Sequence, residues 1–314
     1  MEHHTFSFLS SSDGLRIAGL YTVPEKKPYL GIVQLVHGMA EHKERYLPFM
    51  EELSKRGYIC VINDHRGHGE SVKHREDLGY FYDTSGEAVV EDIHQLTMMM
   101  RNKLPDLPFL LFGHSMGSLI VRKYCKRYDR DIDALVVCGS PSRNPMAGIA
   151  KKLVKGMKKV KGDHHRSALI QKLAFGSFAK NFPEQGSENV WLCSDPSVVK
   201  AYDEDPLCGF VFTLNGFENL FSIMSDVYDP NGWSCTKAEL PILFIAGSKD
   251  PCITSEEQFA KAHGFMKEVG YRDIEHHLFE GRRHEILNED IKEDVYAYVF
   301  EWMSRKMPRK EEKN

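Results

Sequence analysis

The sequence predicts an α/β protein: a mostly parallel, eight-stranded sheet with helices on both faces and an inserted helical cap. Three observations carry that prediction. Short apolar, β-branched runs alternate with amphipathic stretches along most of the 314 residues, as expected for βαβ units. Several runs are continuous, such as "ILFIA" at 242–246, which suits strands buried on both faces of a parallel sheet. The alternation breaks only between about Pro141 and Cys235, a span too long for a loop and therefore expected to carry helices of its own.

Taken in order, strands are expected at Phe6–Leu9, Leu15–Val23, Gly31–Val36, Ile59–Asn63, Phe109–Phe112, Ala134–Cys138, Ile242–Ala246 and Ile274–Phe279. The first two flank the turn signal "SSDG" and should form an antiparallel hairpin at one edge. Helical spacing covers Arg45–Arg56, Gly86–Lys103, Met116–Tyr128, Ser255–Val269 and Asn288–Lys306. The core is thus expected in two parts, 1–140 and 236–314, with the cap at 141–235. Such an insertion leaves from the carboxyl end of a strand, where open α/β sheets place their ligands, so the cap reads as a lid. The charged tail "RKMPRKEEKN" is expected to fray.

Composition narrows the function. Hydrophobic residues make up 42% and charged residues 27%, enough apolar material for a sizeable core and too much for disorder. A net charge of -4 argues against nucleic acid as a partner. The 7 cysteines are an odd number with no C-x-x-C pair, which reads as reduced intracellular thiols and not as a disulfide framework or zinc site. "MEHHTFSFLSSSDG" lacks the pattern of a secretory leader. No run approaches the roughly 18 apolar residues of a membrane span. A soluble, cytoplasmic protein is the expectation.

Gly113-His114-Ser115-Met116-Gly117 fits G-x-S-x-G, directly after a strand and directly before a helix. In that context the serine sits on a strained turn that exposes its hydroxyl, and the glycines relieve collisions with neighbouring backbone. A hydroxyl is a weak nucleophile near neutral pH and needs a histidine base oriented by a carboxylate. Asp250, in the loop after "ILFIAGSK", and His284, in "EGRRHEIL", arrive in the order Ser, Asp, His at later strand ends. Asp64 precedes the serine and reads as loop structure; His276 and His277 lie within a strand-like run; His65 and His68 read as turn residues, since no ligand set completes a metal site around them. The helix beginning at Met116 offers its first free amide to a developing oxyanion. His37-Gly38 at the end of the third strand turns the chain so that the Met39 amide can serve as the second donor.

Together "HGMAEHKERY", "DHRGHGES", "GHSMGS", "YDEDPL", "GSKDP" and "EGRRHEIL" resemble the α/β-hydrolase fold, specifically the monoacylglycerol lipase and lysophospholipase group of serine hydrolases, of the S33 serine aminopeptidase type. The resemblance implies Ser115, Asp250 and His284 as catalytic triad and the Met39 and Met116 amides as oxyanion hole. It further implies that Glu41 and Arg45 shape the polar end receiving glycerol, with Tyr202 and His114 also at the substrate. Read alone, Glu41 and Arg45 lie four apart and are equally explained as a surface ion pair. Ser118 departs from the group's usual glycine after G-H-S-M-G, which bears on helix packing behind the turn.

The expected reaction is hydrolysis of a carboxylic ester through an acyl-enzyme on Ser115, with no metal or organic cofactor. Medium- or long-chain monoacylglycerols are the expected substrates, with lysophospholipids or small esters as close variants. A serine aminopeptidase is the alternative if the acids of "YDEDPL" bind a free α-amine. A ligand-binding protein without turnover is a third reading, but its mark would be a broken triad or oxyanion loop, and the sequence has neither. In the cap, "AGIAKKLVKGMKKVKGDHHR" puts Ile149, Leu153, Val154, Met157 and Val160 at near-helical spacing among lysines. The favoured reading is a cap helix that buries this apolar face and solvates its lysines. The other is transient contact with an anionic membrane surface.

Overall fold

In a computed structural model, residues 2–182 and 186–307 are described. All eight expected strands form one sheet: β1 (His3–Leu9), β2 (Arg16–Thr22), β3 (Gly31–Val36), β4 (Tyr58–Asn63), β5 (Phe109–His114), β6 (Ala134–Cys138), β7 (Ile242–Gly247) and β8 (Ile274–Phe279). Their spatial order is β1-β2-β4-β3-β5-β6-β7-β8. β2 runs antiparallel to both β1 and β4, and every other pairing is parallel.

Residues alternate between two apolar layers, as a pleated strand requires. Ile32, Val36, Phe109 and Leu111 pack with α2 (Glu87–Lys103), α3 (Met116–Tyr128) and α8 (Glu256–Glu268) on one face. Val33, Leu35, Leu110 and Phe112 pack with α1 (Leu47–Lys55) and α9 (Lys292–Lys306) on the other. Both faces are therefore covered, which explains why the strands read as continuous apolar runs. The helix expected from Arg45 begins as a 3-10 turn at Lys43–Tyr46 and becomes α-helical at Leu47, with Pro48 in its first turn.

The interruption at 141–235 holds α4 (Ala147–Lys161), α5 (Ala168–Phe175), α6 (Pro196–Glu204) and α7 (Leu214–Val227). Within the insertion α7 packs on α4. α7 lies against α3, and its Asn215 and Asn219 side chains accept from the Phe81 and Gly86 amides at 2.8 and 2.7 Å. α7 thereby joins the insertion to the helix layer of the core.

The favoured reading of α4 needs correction. Ala147 and Val154 are buried and Ala150 and Met157 pack beside them, a 3-4-3 spacing that turns one seam inward. Ile149, Leu153 and Val160 fall on a second stripe and remain 59%, 43% and 86% exposed. The apolar positions of α4 span more arc than one contact can cover, so only part of the expected face is buried. Of the charged tail, residues 308–314 lie outside the described residues.

Candidate active site

β5 delivers Ser115 to the carboxyl edge of the sheet, and α3 starts at the next residue. Ser115 holds φ 54° and ψ -119°, a conformation costly for a residue with a side chain. The glycines that flank it are dictated by space. A Cβ at Gly117 would lie 2.0 Å from the Val36 carbonyl oxygen, and one at Gly113 would lie 2.5 Å from that of Gly117. Ser118 donates its hydroxyl to the Ser115 carbonyl at 2.5 Å, so the departure from glycine is absorbed inside the first turn of α3.

Asp250 follows β7 and caps a 3-10 turn at Pro251–Ile253. One carboxylate oxygen accepts the Cys252 amide at 2.8 Å, and the other faces His284 Nδ1 at 2.8 Å. Both residues are buried. The Asp250 bond fixes Nδ1 as the protonated nitrogen and leaves Nε2 as the basic one, and Ser115 and His284 line the same cavity. Cys252 Sγ is 4.0 Å from that Nε2. Burial, with the Asp250 charge beside it, pushes the Cys252 thiol well above its ordinary range and leaves it protonated and unreactive.

The loop after β3 lies against the nucleophile; a Cβ on Gly38 would come within 3.1 Å of the Ser115 Cβ. Two imidazoles brace it. His65 Nε2–H donates to the His37 carbonyl (2.9 Å), the His65 amide donates to His37 Nε2 (3.0 Å), and His37 Nδ1–H donates to the Gly38 carbonyl (2.8 Å). Burial lowers both pKa values, that of His65 to about 4, and keeps the rings neutral in these roles. The Gly38 amide is taken by Glu41 Oε1 at 2.5 Å. Met39 follows it at the cavity wall beside Met116, whose amide, at the first position of α3, has no acceptor within the helix.

Glu41, His114 and Tyr202 also line the cavity, whereas Arg45 stands behind it. Glu41 and Arg45 are not a surface pair. Arg45 bonds Glu41 Oε2 at 2.6 Å and grips both oxygens of Glu285 at 2.8 and 2.7 Å. Tyr46 donates to Glu41 Oε1 at 2.9 Å and accepts from His114 Nδ1 at 3.0 Å, while His114 Nε2 reaches the His284 carbonyl at 3.2 Å. Burial opposes a charged His114, but hydrogen bonding and charge from Glu41 prevail and raise its pKa above the ordinary value. Tyr202 spends its hydroxyl on the Ala40 carbonyl at 2.9 Å and offers its ring to Arg45 at 4.9 Å. This network ties the loop after β3 to the loop carrying His284.

Glu285, Tyr46, Cys252 and Trp191 are site residues that the sequence reading does not single out. Glu285 had a local signal, a charged residue set between His284 and the apolar pair Ile286-Leu287. Trp191 had none; its ring centroid lies 5.0 Å from that of His284, and its carbonyl accepts the His284 amide at 3.4 Å. The remaining candidates are structural. Asp64 is buried and accepts from the Lys43 amide and ammonium at 2.9 and 2.8 Å, and His276 stacks on His263 at 4.1 Å.

The cavity measures about 890 Å³ and runs from Ser115 and His284 between α5 and α7, past Phe175, Phe178, Phe221 and Met224. Its volume and apolar lining suit a small-molecule ligand with a long hydrophobic part. Among the described residues no helix is long and apolar enough to cross a membrane.

Comparison with known proteins agrees with this architecture. The chain is 29% identical over 293 residues to a monoacylglycerol lipase of Mycolicibacterium smegmatis, covering 92% of this chain and 93% of that one. A thermostable carboxyl esterase from Bacillus coagulans, solved in complex with glycerol, superposes with a TM-score of 0.89 at 26% identity, over 98% of this chain and 99% of that one. The monoacylglycerol lipase of Paleococcus ferrophilus shares the fold, with a TM-score of 0.67 at 24% identity over 98% of this chain and all of that one (100%). Residues 27–291 match the family described as serine aminopeptidase, S33, and the chain, an α/β-hydrolase, belongs to that family.

Proposed function

We propose that the protein hydrolyses carboxylic esters of lipids, monoacylglycerols foremost, through an acyl-enzyme on Ser115. The observation that carries this reading is the apolar cavity of about 890 Å³ that opens onto Ser115 and His284. The lipase and esterase relatives favour an ester over a peptide. An aminopeptidase would need a carboxylate held in place to meet an α-amine, but Glu41 and Glu285 are spent on Arg45 and their neighbours, and Glu188, which also lines the cavity, is exposed to solvent. Asp205 of the cap is likewise turned to His42.

In this reaction His284 Nε2 removes the Ser115 proton as Oγ attacks the ester carbonyl, and Asp250 steadies the imidazolium that forms. The Met39 and Met116 amides receive the negative charge developing on the carbonyl oxygen. His284 returns the proton to the departing alcohol, and water then repeats the sequence on the acyl-enzyme. The bond from His284 Nε2 to Oγ need only form in the substrate complex, since such contacts are commonly long in free enzymes. Glu41, His114 and Tyr202 border the polar end where the glycerol leaves; Arg45 acts through Glu41 and Glu285 as a positioning residue.

The cap is assigned a second role, contact with an anionic lipid surface. Met146, Ile149 and Leu153 at the start of α4 and Leu169 and Leu173 on α5 are exposed by 43% to 68%. Exposed Lys152, Lys155, Lys159 and Lys172 accompany them. Apolar side chains among lysines are what an interfacial helix presents to headgroups.

The test is a fluorophosphonate probe followed by a substrate panel. The probe should label wild type and not Ser115→Ala, and that variant should lose ester hydrolysis; hydrolysis retained by Ser115→Ala overturns the mechanism. Preference for aminoacyl amides over monoacylglycerols and lysophospholipids overturns the lipid assignment.

A further inference from the structure

Beside the site, but outside the machinery just described, His42, Asp205 and Cys208 bring three ligand atoms within 4.8 Å of one another. His42 closes the loop after β3, while Asp205 and Cys208 follow α6 in the cap, more than 160 positions away. No C-x-x-C spacing announces this group; the fold assembles it. His42 Nε2 faces Asp205 Oδ2 at 2.9 Å, and Nδ1 faces Glu44 Oε2 at 2.6 Å. Glu44 is itself held by Lys43 at 2.8 Å. His42 and Cys208 are buried and Asp205 is 30% exposed at its side chain, so the group has solid walls and one open side.

We propose that His42 Nε2, Asp205 and the Cys208 thiolate bind a thiophilic divalent cation of the zinc class, which cross-links the loop after β3 to the cap. Imidazole nitrogen, carboxylate oxygen and thiolate sulfur are each zinc ligands, and three protein ligands with water completing the tetrahedron make an open zinc site. Donors in such a tetrahedron stand roughly 3.3 to 3.8 Å apart, given metal–ligand bonds of about 2.0 to 2.3 Å. The 2.9 Å between His42 and Asp205 must therefore open by a few tenths of an ångström. Glu44 supplies the carboxylate behind the histidine that orients metal-binding imidazoles and directs Nε2 outward. Charge balances as well. The ion replaces the proton between His42 and Asp205 and the thiol proton of Cys208, both released to solvent, and Asp205 and the thiolate neutralise its two charges. Arg45, which acts on Cys208 electrostatically, is already neutralised by Glu41 and Glu285.

The cross-link would fall at a sensitive place. Tyr202 and Gly209, on either side of the two cap ligands, both donate to the Ala40 carbonyl, at 2.9 and 3.0 Å. Ala40 follows Met39, the proposed oxyanion donor. A bound ion would hold that loop and the cap as one body.

The test uses the full chain and does not depend on turnover. Cobalt(II) titrated into the protein should give a near-ultraviolet thiolate-to-metal band that saturates at one equivalent and is removed by zinc. Zinc should also raise the melting temperature. Both effects should vanish in Cys208→Ser and persist in Cys252→Ser, which checks the other thiol near a histidine. Asp205→Asn and Glu44→Gln, at half-buried positions and nearly unchanged in volume, should each weaken zinc binding by about tenfold or more. No band in wild type, a band surviving in Cys208→Ser, or one lost in Cys252→Ser overturns the proposal. These readouts stand whether or not Ser115→Ala abolishes hydrolysis, so failure here leaves the ester assignment untouched.

Discussion

On one side of the cavity, Glu41, Arg45, Tyr46, His114 and Glu285 are buried or nearly so and spend their polar atoms on one another. On the other side α5 lines the cavity, and the cap helices α4 and α5 anchor through a few residues such as Val154 and Ile170 and leave Ile149, Leu153, Leu169 and Leu173 in solvent. The two walls do different work. Reacting atoms must be held within fractions of an ångström, which takes cross-linked polar groups in a dry setting. A wall that admits a long apolar chain must yield and must itself tolerate an apolar neighbour. The first wall should thus answer mutation with loss of chemistry or of fold, the second with loss of access to lipid.

The largest effect is expected at the reacting residues. Asp250→Asn should keep its fold, since the side-chain volume is unchanged, yet lower kcat by on the order of 10⁴-fold because His284 loses its tautomer. Steady-state kinetics alongside a melting curve checks both halves. A fall below tenfold would mean that Asp250 only caps its turn.

Next comes the clamp between the loops. Arg45→Ala strands two buried carboxylates and should cost about 3 to 5 kcal/mol of stability, read by denaturant unfolding. Arg45→Lys should recover only part, because an ammonium cannot span both oxygens of Glu285. A neutral Arg45→Ala would erase the distinction between the walls.

The same clamp gives a pH signature of smaller size. Burial works to raise the Glu285 pKa, but Arg45 overcomes it and holds the group below its ordinary 4.5. A carboxylate depressed in the folded state contributes stability that is fully present above 4.5 and is lost as pH falls through the lower folded value. The melting temperature of wild type should therefore exceed that of Glu285→Gln by a constant margin at neutral pH, and the margin should shrink below about pH 4.5. A margin that widens with acid would refute the assignment.

The smallest effect on chemistry belongs to the cap. Replacing Ile149, Leu153, Leu169 and Leu173 together with serine should lower turnover of monoacylglycerol in anionic vesicles by about tenfold, yet change hydrolysis of a short soluble ester by less than about twofold. Vesicle co-sedimentation provides the independent check. Equal losses on both substrates would make these residues part of the cavity and not of a lipid-facing surface.

What could be read from the chain follows the same division. Strand and helix positions, the order Ser115, Asp250, His284, and the glycines around the nucleophile rest on periodicity and on turn chemistry within a few residues, and these are local properties. β3, β6 and β8 match their expected bounds, as does α3. The partnership of Arg45 with Glu285 spans 240 positions and that of His42 with Asp205 spans 163. The placement of α7 in the core layer and the division of α4 into two stripes likewise depend on which helices come to lie side by side. The sequence by itself determined the sheet and the candidate triad, because burial on both faces and strained turns leave marks in neighbouring residues. Only the tertiary structure decided the clamp, the outward apolar face and the loop-to-cap cluster, because those contacts form between loops that meet only after the crossovers have stacked.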